Sequence, residues 1–136
     1  FADRFFRAYP EWEPFATNVD EGMFEVFVPQ AGTDRQLWVS TQDNELTIGF
    51  DHWHEHLGAF LGLSDADAIE QTMEGVRSIV QEDLVVLISF RGGKWVKSTK
   101  RKPFEPLVIE PGGTTHVYSW RGTHDRILDG IPPLIT

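Results

Sequence analysis

The chain has 136 residues, 40% of them hydrophobic and 12% aromatic, which is typical of a folded domain rather than a disordered segment. It contains no cysteine, so disulfides, thiolate catalysis and cysteine zinc sites are excluded. A net charge of −9 makes the phosphates of DNA and RNA unfavourable partners. No apolar stretch reaches the ~18 residues of a membrane span. We therefore expect a cytoplasmic protein that binds neither nucleic acid nor membrane.

The charge is distributed unevenly along the chain. Residues 1–83 carry 17 acidic and 4 basic side chains, whereas residues 84–136 carry 4 acidic and 8 basic ones. Such asymmetry indicates a charged interaction face, unless the two halves interleave in the fold and their fields mix.

The N-terminal segment predicts a short helix that ends before a proline. Phe1, Phe5 and Tyr9 recur four residues apart, which places them on one helical face, and Pro10 interrupts the pattern. We expect residues 11–22 to form a loop.

Three strands are predicted next from the alternation of apolar and polar side chains. Residues 23–28, 36–41 and 45–53 alternate as strands with one buried face do. Asp43 and Asn44 favour a turn between the second and third of these strands.

The clearest helical pattern covers residues 64–81. Ser64 is a suitable N-cap, and Asp65 and Asp67 follow in the first turn, where the helix dipole favours anions. Gly75 predicts close packing of this helix against the sheet, since it otherwise weakens a helix. The apolar stripe at helical spacing consists of Ile69, Met73, Val76 and Val80.

The last third of the chain predicts β-hairpins. Residues 84–90 are apolar on both faces, as in a central strand, and Gly92-Gly93 favours a tight hairpin into residues 94–98. Two further strands are predicted at residues 107–109 and 115–120.

These elements define the expected fold, a single α+β domain spanning residues 1–136. We expect a mainly antiparallel β-sheet of about five to seven strands, because short turns join most of the strands. One long helix packs on a face of this sheet, and a short helix precedes it at the N-terminus.

Residues 51–56 are the main candidate binding site. If the strand that begins at residue 45 continues through them, the three histidines share the inward face and form a polar pocket at the rim of the sheet. Alternatively, the strand ends earlier and the histidines lie on a solvated loop or at an interface. The candidate binding residues of this segment are Asp51, His52, Trp53, His54 and His56.

The same histidines also suggest an alternative function. Two histidines two positions apart on a strand can share one metal ion if a third ligand comes from elsewhere. His52, His54 and His116 would form such a site for a divalent transition metal, with His124 as another candidate for the third ligand. The chain would then be a metal-dependent enzyme in which a metal-bound water attacks a small substrate. A further alternative is a pocket for a small ligand.

A second candidate site follows the last predicted strand. Trp120, Arg121, His124 and Asp125 include the residue types enriched at binding hot spots. With Ser119 they also supply the residue types of a nucleophilic triad, but adjacent His and Asp rarely point at each other, and no Gly-x-Ser-x-Gly motif is present. We therefore expect binding rather than hydrolysis, with Trp120 either an anchor or part of the core.

A third candidate surface is the acidic side of the long helix. Asp65, Asp67 and Glu70 would attract a basic partner, although such residues are also typical of a plain solvated helix face.

Two stretches resemble a known family. Residues 47–54 (TIGFDHWH) and 119–125 (SWRGTHD), together with the order of elements, resemble small bacterial immunity proteins, the partners of polymorphic and secretion-system toxins. The resemblance implies a cytosolic protein that occludes the active site of a toxin, without catalysis or a cofactor of its own. The strong negative charge predicts that the toxin has a basic surface.

Overall fold

The structure, a computed structural model, describes residues 1–17, 24–30, 32, 34–42, 45–107, 109 and 111–130, without the side chain of residue 60. The chain divides into two compact units, Phe1–Arg77 and Ser78–Thr136. Whether they form one folding domain, as the sequence predicts, stays a prediction.

The first unit begins with a helix and continues as a β-meander. Its elements are α1 (Ala2–Ala8), a 3-10 helix (Pro10–Phe15), β1 (Ala16–Thr17), β2 (Phe24–Pro29), β3 (Gln36–Gln42), β4 (Glu45–Phe50), β5 (Trp53–Gly58), a short 3-10 helix (Ala59–Leu61) and α2 (Asp65–Val80), whose last residues fall in the second unit. The strands form one antiparallel sheet in the order β1-β2-β3-β4-β5.

The inner face of this sheet forms the core of the first unit. Val26, Val39 and Ile48 lie side by side on three neighbouring strands, and each is at most 1% exposed. Phe5 of α1 is fully buried, and its ring contacts those of Trp12 and Phe24. The predicted N-terminal helix is confirmed. Of the predicted loop at residues 11–22, the part up to residue 17 forms a 3-10 helix and a short strand instead, and residues 18–22 lie outside the described residues.

Helix α2 packs on this inner face, as predicted. Leu46 and Leu57 of the sheet form a buried cluster with Ala68. The hydroxyl of Ser64 accepts the backbone N–H of Asp67 at 3.1 Å, which confirms the predicted cap. Gly75 lies so close to the sheet that a Cβ there would be 3.2 Å from a methyl group of Ile48.

The buried stripe of α2 is rotated relative to the predicted one. Val76 is fully buried, but Ile69, Met73 and Val80 are only half-buried. The most buried positions include Thr72, which satisfies its hydroxyl by donating to the carbonyl of Ala68 at 2.8 Å. A threonine can join an apolar helix face in this way, and an apolar pattern alone misses it.

The second unit contains a separate antiparallel sheet. Its strands are β6 (Val85–Arg91), β7 (Lys94–Arg101), β8 (Gly113–Tyr118) and β9 (Arg126–Asp129), in the order β7-β6-β8-β9. Val86 and Leu87 point to opposite faces and are both buried, which confirms the predicted central strand. Gly92 and Gly93 turn β6 into β7 with φ of 59° and 75°, the left-handed conformation that such a hairpin requires.

The predicted α+β class and the antiparallel pairing are confirmed, but the predicted single sheet of five to seven strands is wrong. The strands divide into sheets of five and four, and the predictions missed β1, β5 and β9 as separate strands. Leu107 and Ile109 do not lie in a strand, and the predicted turn at 43–44 falls outside the described residues. Among the described residues, no helix has the length and apolar character needed to cross a membrane.

Candidate functional site

A two-residue turn decides where the histidines point. Asp51 and His52 form the turn between β4 and β5, with Asp51 in the left-handed region at φ 55°. Trp53 then pairs with Phe50 and takes the inner face, where it is 6% exposed. The following histidines, His54 and His56, therefore share the outer face.

The predicted inward-facing histidine pocket is thus wrong. His54 pairs with Gly49 and His56 with Thr47, so both lie on the face opposite the aliphatic core. His52 sits in the turn with 69% of its side chain exposed. Trp53, predicted as a candidate binding residue, is instead a core residue. The prediction assumed an uninterrupted strand, and the turn reverses the chain direction and resets the alternation.

The outer face carries a row of rings, which we call the outer aromatic row: Phe27, Trp38 and His54. The register places these residues side by side across the sheet, with Gly49 between Trp38 and His54. Ring centroids are 6.3 Å apart for Phe27 and Trp38, and 6.1 Å apart for Trp38 and His54. Phe27 is 40% exposed, Trp38 is half-buried and His54 is exposed.

Gly49 permits this arrangement because it has no side chain. A Cβ at Gly49 would clash with the indole of Trp38, so the indole covers the glycine backbone directly. The indole thereby bridges the gap between Phe27 and His54. Sequence reasoning missed Phe27 and Trp38. Both are aromatic residues at strand positions where the alternation predicts an outward-facing polar side chain, and this mismatch could have identified them.

Acidic and hydrogen-bonding side chains border the outer aromatic row. His56 Nδ1 lies 2.6 Å from Glu45 Oε1 and 2.9 Å from Thr47 Oγ1, and its ring is 4.9 Å from that of His54. Glu25 stands on the same face, in the cross-strand row that ends at His56. The strands β1 to β5 contain no lysine or arginine, so this face combines aromatic rings with negative charge.

The alternative metal ligands are placed in different surroundings. His52 lies in the turn and His54 in the outer aromatic row, whereas His116 contacts the Tyr118 hydroxyl through Nδ1 at 3.1 Å. The ring of His116 also packs against Phe90 at 5.2 Å. Within the described ranges, no three His, Asp or Glu side chains are grouped as a metal ion would require.

The acidic side of α2 lies on the other side of the same sheet. Asp65, Asp67 and Glu70 are exposed in its first turns, and Glu70 forms an ion pair with Arg4 of α1. Because α2 covers the inner face, these carboxylates point away from the outer aromatic row.

The segment after β8 is a tight turn held by its own polar groups. Asp125 Oδ1 accepts the backbone N–H of Ser119 at 2.9 Å, and Ser119 Oγ accepts the backbone N–H of His124 at 2.8 Å. Ser119 is fully buried and meets His124 through its backbone, so no nucleophilic triad forms. Trp120 is only 8% exposed, which makes it a core residue rather than an exposed anchor.

Arg121 is held by a carboxylate that the sequence analysis did not single out. Glu82 Oε1 accepts Arg121 Nε and Thr123 Oγ1, both at 2.8 Å. The Glu82 side chain is 3% exposed and that of Arg121 is 65% exposed. Burial alone would raise the pKa of Glu82, but the neighbouring hydroxyls of Ser119 and Thr123, together with the Arg121 guanidinium, lower that pKa to about 2.

Comparison with family models, with curated proteins and with solved structures gives no match. Functional interpretation therefore depends on the chain's own surfaces. In the first unit, the surface that we interpret is the outer aromatic row with Glu25 and Glu45. In the second unit, it is the surface around Glu82.

Proposed function

We propose that this protein is a binding inhibitor, an immunity protein that neutralises a bacterial toxin by covering its active surface. The outer aromatic row with its two carboxylates is the observation that carries the proposal. Aromatic side chains supply contact area at little entropic cost and are enriched at the centres of protein interfaces. The open outer face of a sheet suits contact with another protein better than enclosure of a small molecule.

The chemistry of this face favours a basic partner. Lysine and arginine side chains of such a partner can form ion pairs with Glu25 and Glu45. They can also stack on the faces of Trp38 and Phe27. The acidic excess of residues 1–83 also attracts a basic protein over longer distances. A toxin that binds nucleic acid or nucleotides would present such a surface.

The proposal differs from the sequence-based one in the surface it uses. Trp53 and Trp120 are buried, so they shape the fold rather than contact a partner. Asp65, Asp67 and Glu70 stay a competing surface, but they lie opposite the outer aromatic row, so a single flat partner surface cannot be centred on both.

The test is capture of the partner from the source organism, followed by affinity measurement with the purified partner. We expect Trp38→Ala to weaken binding at least about tenfold, because it removes the centre of the outer aromatic row. Trp95→Ala is the matched control, since Trp95 is a 59% exposed tryptophan on the other sheet. Melting temperatures would show that both variants are folded.

Three other outcomes would count against the proposal. Equal affinity of Trp38→Ala, Phe27→Ser and the wild type would remove the outer face as the binding surface. Loss of binding only on reversal of Asp65, Asp67 and Glu70 to lysine would assign the contact to α2. If no protein is captured but metal or a small molecule stabilises the chain, the function belongs to another class.

A further inference from the structure

The second unit has an open depression of about 740 Å³. Glu82, Phe104 and His124 contribute to its lining, as do the charged residues Asp83, Lys102 and Glu105. Of the residues that line the depression, only His124 belongs to a site that the sequence predicted.

Glu82 has a buried carboxylate, and one of its two oxygens lacks a hydrogen-bond donor in the described part of the chain. Its Oε1 is occupied by Arg121 and Thr123, as described above. No donor in the described part of the chain meets Oε2 with hydrogen-bond geometry, and Oε2 is shielded from solvent. A buried carboxylate oxygen without a donor is unfavourable, so a hydrogen bond from a ligand to Oε2 would lower the free energy of the site.

The residue's backbone holds it in this place. Glu82 has φ of 61°, in the left-handed region that non-glycine residues rarely adopt. Its N–H donates to the carbonyl of Ile79 at 3.0 Å, which fixes it at the end of α2. The carboxylate is therefore positioned by the backbone and not only by its side-chain partners.

An aromatic wall faces the same depression. Phe104 is 86% exposed, although such exposure of a phenylalanine is unfavourable, and its ring meets the edge of the His124 ring at 5.4 Å. Asp83 and Glu105 add negative charge, while Lys102 and Arg101, which lies 3.8 Å from Glu105, oppose it. A carboxylate beside an aromatic face is the combination that recognises an organic cation.

We propose that this depression binds an alkylammonium or guanidinium group, with Glu82 Oε2 as the acceptor and the Phe104 ring as the wall. Because Oε2 is shielded from solvent, a neighbouring side chain must move to admit the cation. The cation is either a free amine or a lysine or arginine side chain of a polypeptide. The site is independent of the outer aromatic row.

The test is titration of the isotope-labelled protein with putrescine and, separately, with N-acetyl-arginine amide, observed through the backbone amides of Phe104, Thr123 and His124. We expect saturable shifts with dissociation constants of about 1 mM or lower. N-acetyl-norleucine amide, which is similar in length but uncharged, should give none. Tighter binding of putrescine identifies a free amine as the ligand, and tighter binding of the arginine derivative identifies a polypeptide.

Variants make the assignment specific to these side chains. Phe104→Leu should weaken binding of the cation at least about fivefold, and Glu82→Gln should abolish it. Phe104 is exposed, so its variant folds even if Glu82→Gln is unstable. Phe15→Leu, at another exposed phenylalanine, is the control and should bind like the wild type. Absence of shifts at 50 mM of either probe (roughly fifty times the expected constant), or unchanged binding by Phe104→Leu, would overturn the proposal.

Discussion

Glu82 is a buried residue whose ionisation contributes to the stability of the second unit. Its carboxylate is buried, yet its hydrogen bonds and the neighbouring guanidinium keep its pKa at about 2, below the ordinary value of 4.5. The charged form is therefore favoured by folding. The resulting stability is complete above about pH 4.5 and disappears as the pH falls through about 2.

We predict that Glu82→Gln removes this pH dependence. A depression of the pKa from 4.5 to about 2 corresponds to roughly 3 kcal/mol of unfolding free energy at neutral pH. The difference in unfolding free energy between the wild type and the variant should shrink steadily between pH 4.5 and 2. Urea unfolding at a series of pH values measures it.

Thr123→Val provides the graded comparison. It removes one of the hydrogen bonds to Glu82 Oε1 but leaves Arg121 in place, so it should reduce the pH dependence without abolishing it. Parallel stability curves for wild type and Glu82→Gln over this pH range would contradict the account.

The packing between β3 and β4 of the first sheet depends on a glycine, Gly49. The indole of Trp38 on β3 occupies the space above Gly49 on β4, where a side chain would otherwise stand. Glycine is otherwise a poor strand residue, since it has no side chain to pack and loses much backbone entropy. Its presence here is therefore explained by the indole.

A double-mutant cycle tests this dependence. Gly49→Ala should cost about 1–3 kcal/mol in the wild type, because the indole must be displaced. In a Trp38→Ala background the same substitution should cost almost nothing or should stabilise, since alanine loses less entropy than glycine. Denaturant unfolding of the four proteins gives the coupling energy, and additive effects would show that the indole does not lie over Gly49.

The net charge of the whole molecule affects the association rate of a partner more than its dissociation rate. Residues 1–83 hold 17 of the 21 acidic side chains, and Glu25 and Glu45 lie on the outer face among them. Exposed charges act over about a Debye length, whereas ring contacts act only after docking.

We expect the association rate with a basic partner to fall with added salt. Neutralising the outer face with Glu25→Gln and Glu45→Gln should flatten that salt dependence and change the dissociation rate little, whereas Trp38→Ala should mainly raise the dissociation rate. Stopped-flow or surface-based kinetics at several ionic strengths measures both rates. Asp65→Asn with Asp67→Asn, on the opposite side of the sheet, serves as the control. An equal or larger flattening in that control would place the electrostatic attraction at α2.

The sequence by itself determined the elements whose signals are local. The Ser64 cap and the Gly92-Gly93 turn depend on a few adjacent residues, and the two-sided apolar pattern of β6 marks a central strand wherever it pairs. The antiparallel pairing follows from the short connections between strands. The mixed α+β composition follows from the helical and alternating patterns along the chain.

Only the tertiary structure decided the features that depend on distant pairing. The two-residue turn at Asp51 and His52 moved His54 and His56 from the inner face to the outer one, because one change of register reverses every side chain that follows. The separation into two sheets, the burial of Trp120 and the placement of Glu82 beside Arg121 depend on contacts between residues far apart in the chain. Local periodicity carries no information about those contacts, since it records which faces are apolar but not which partners cover them.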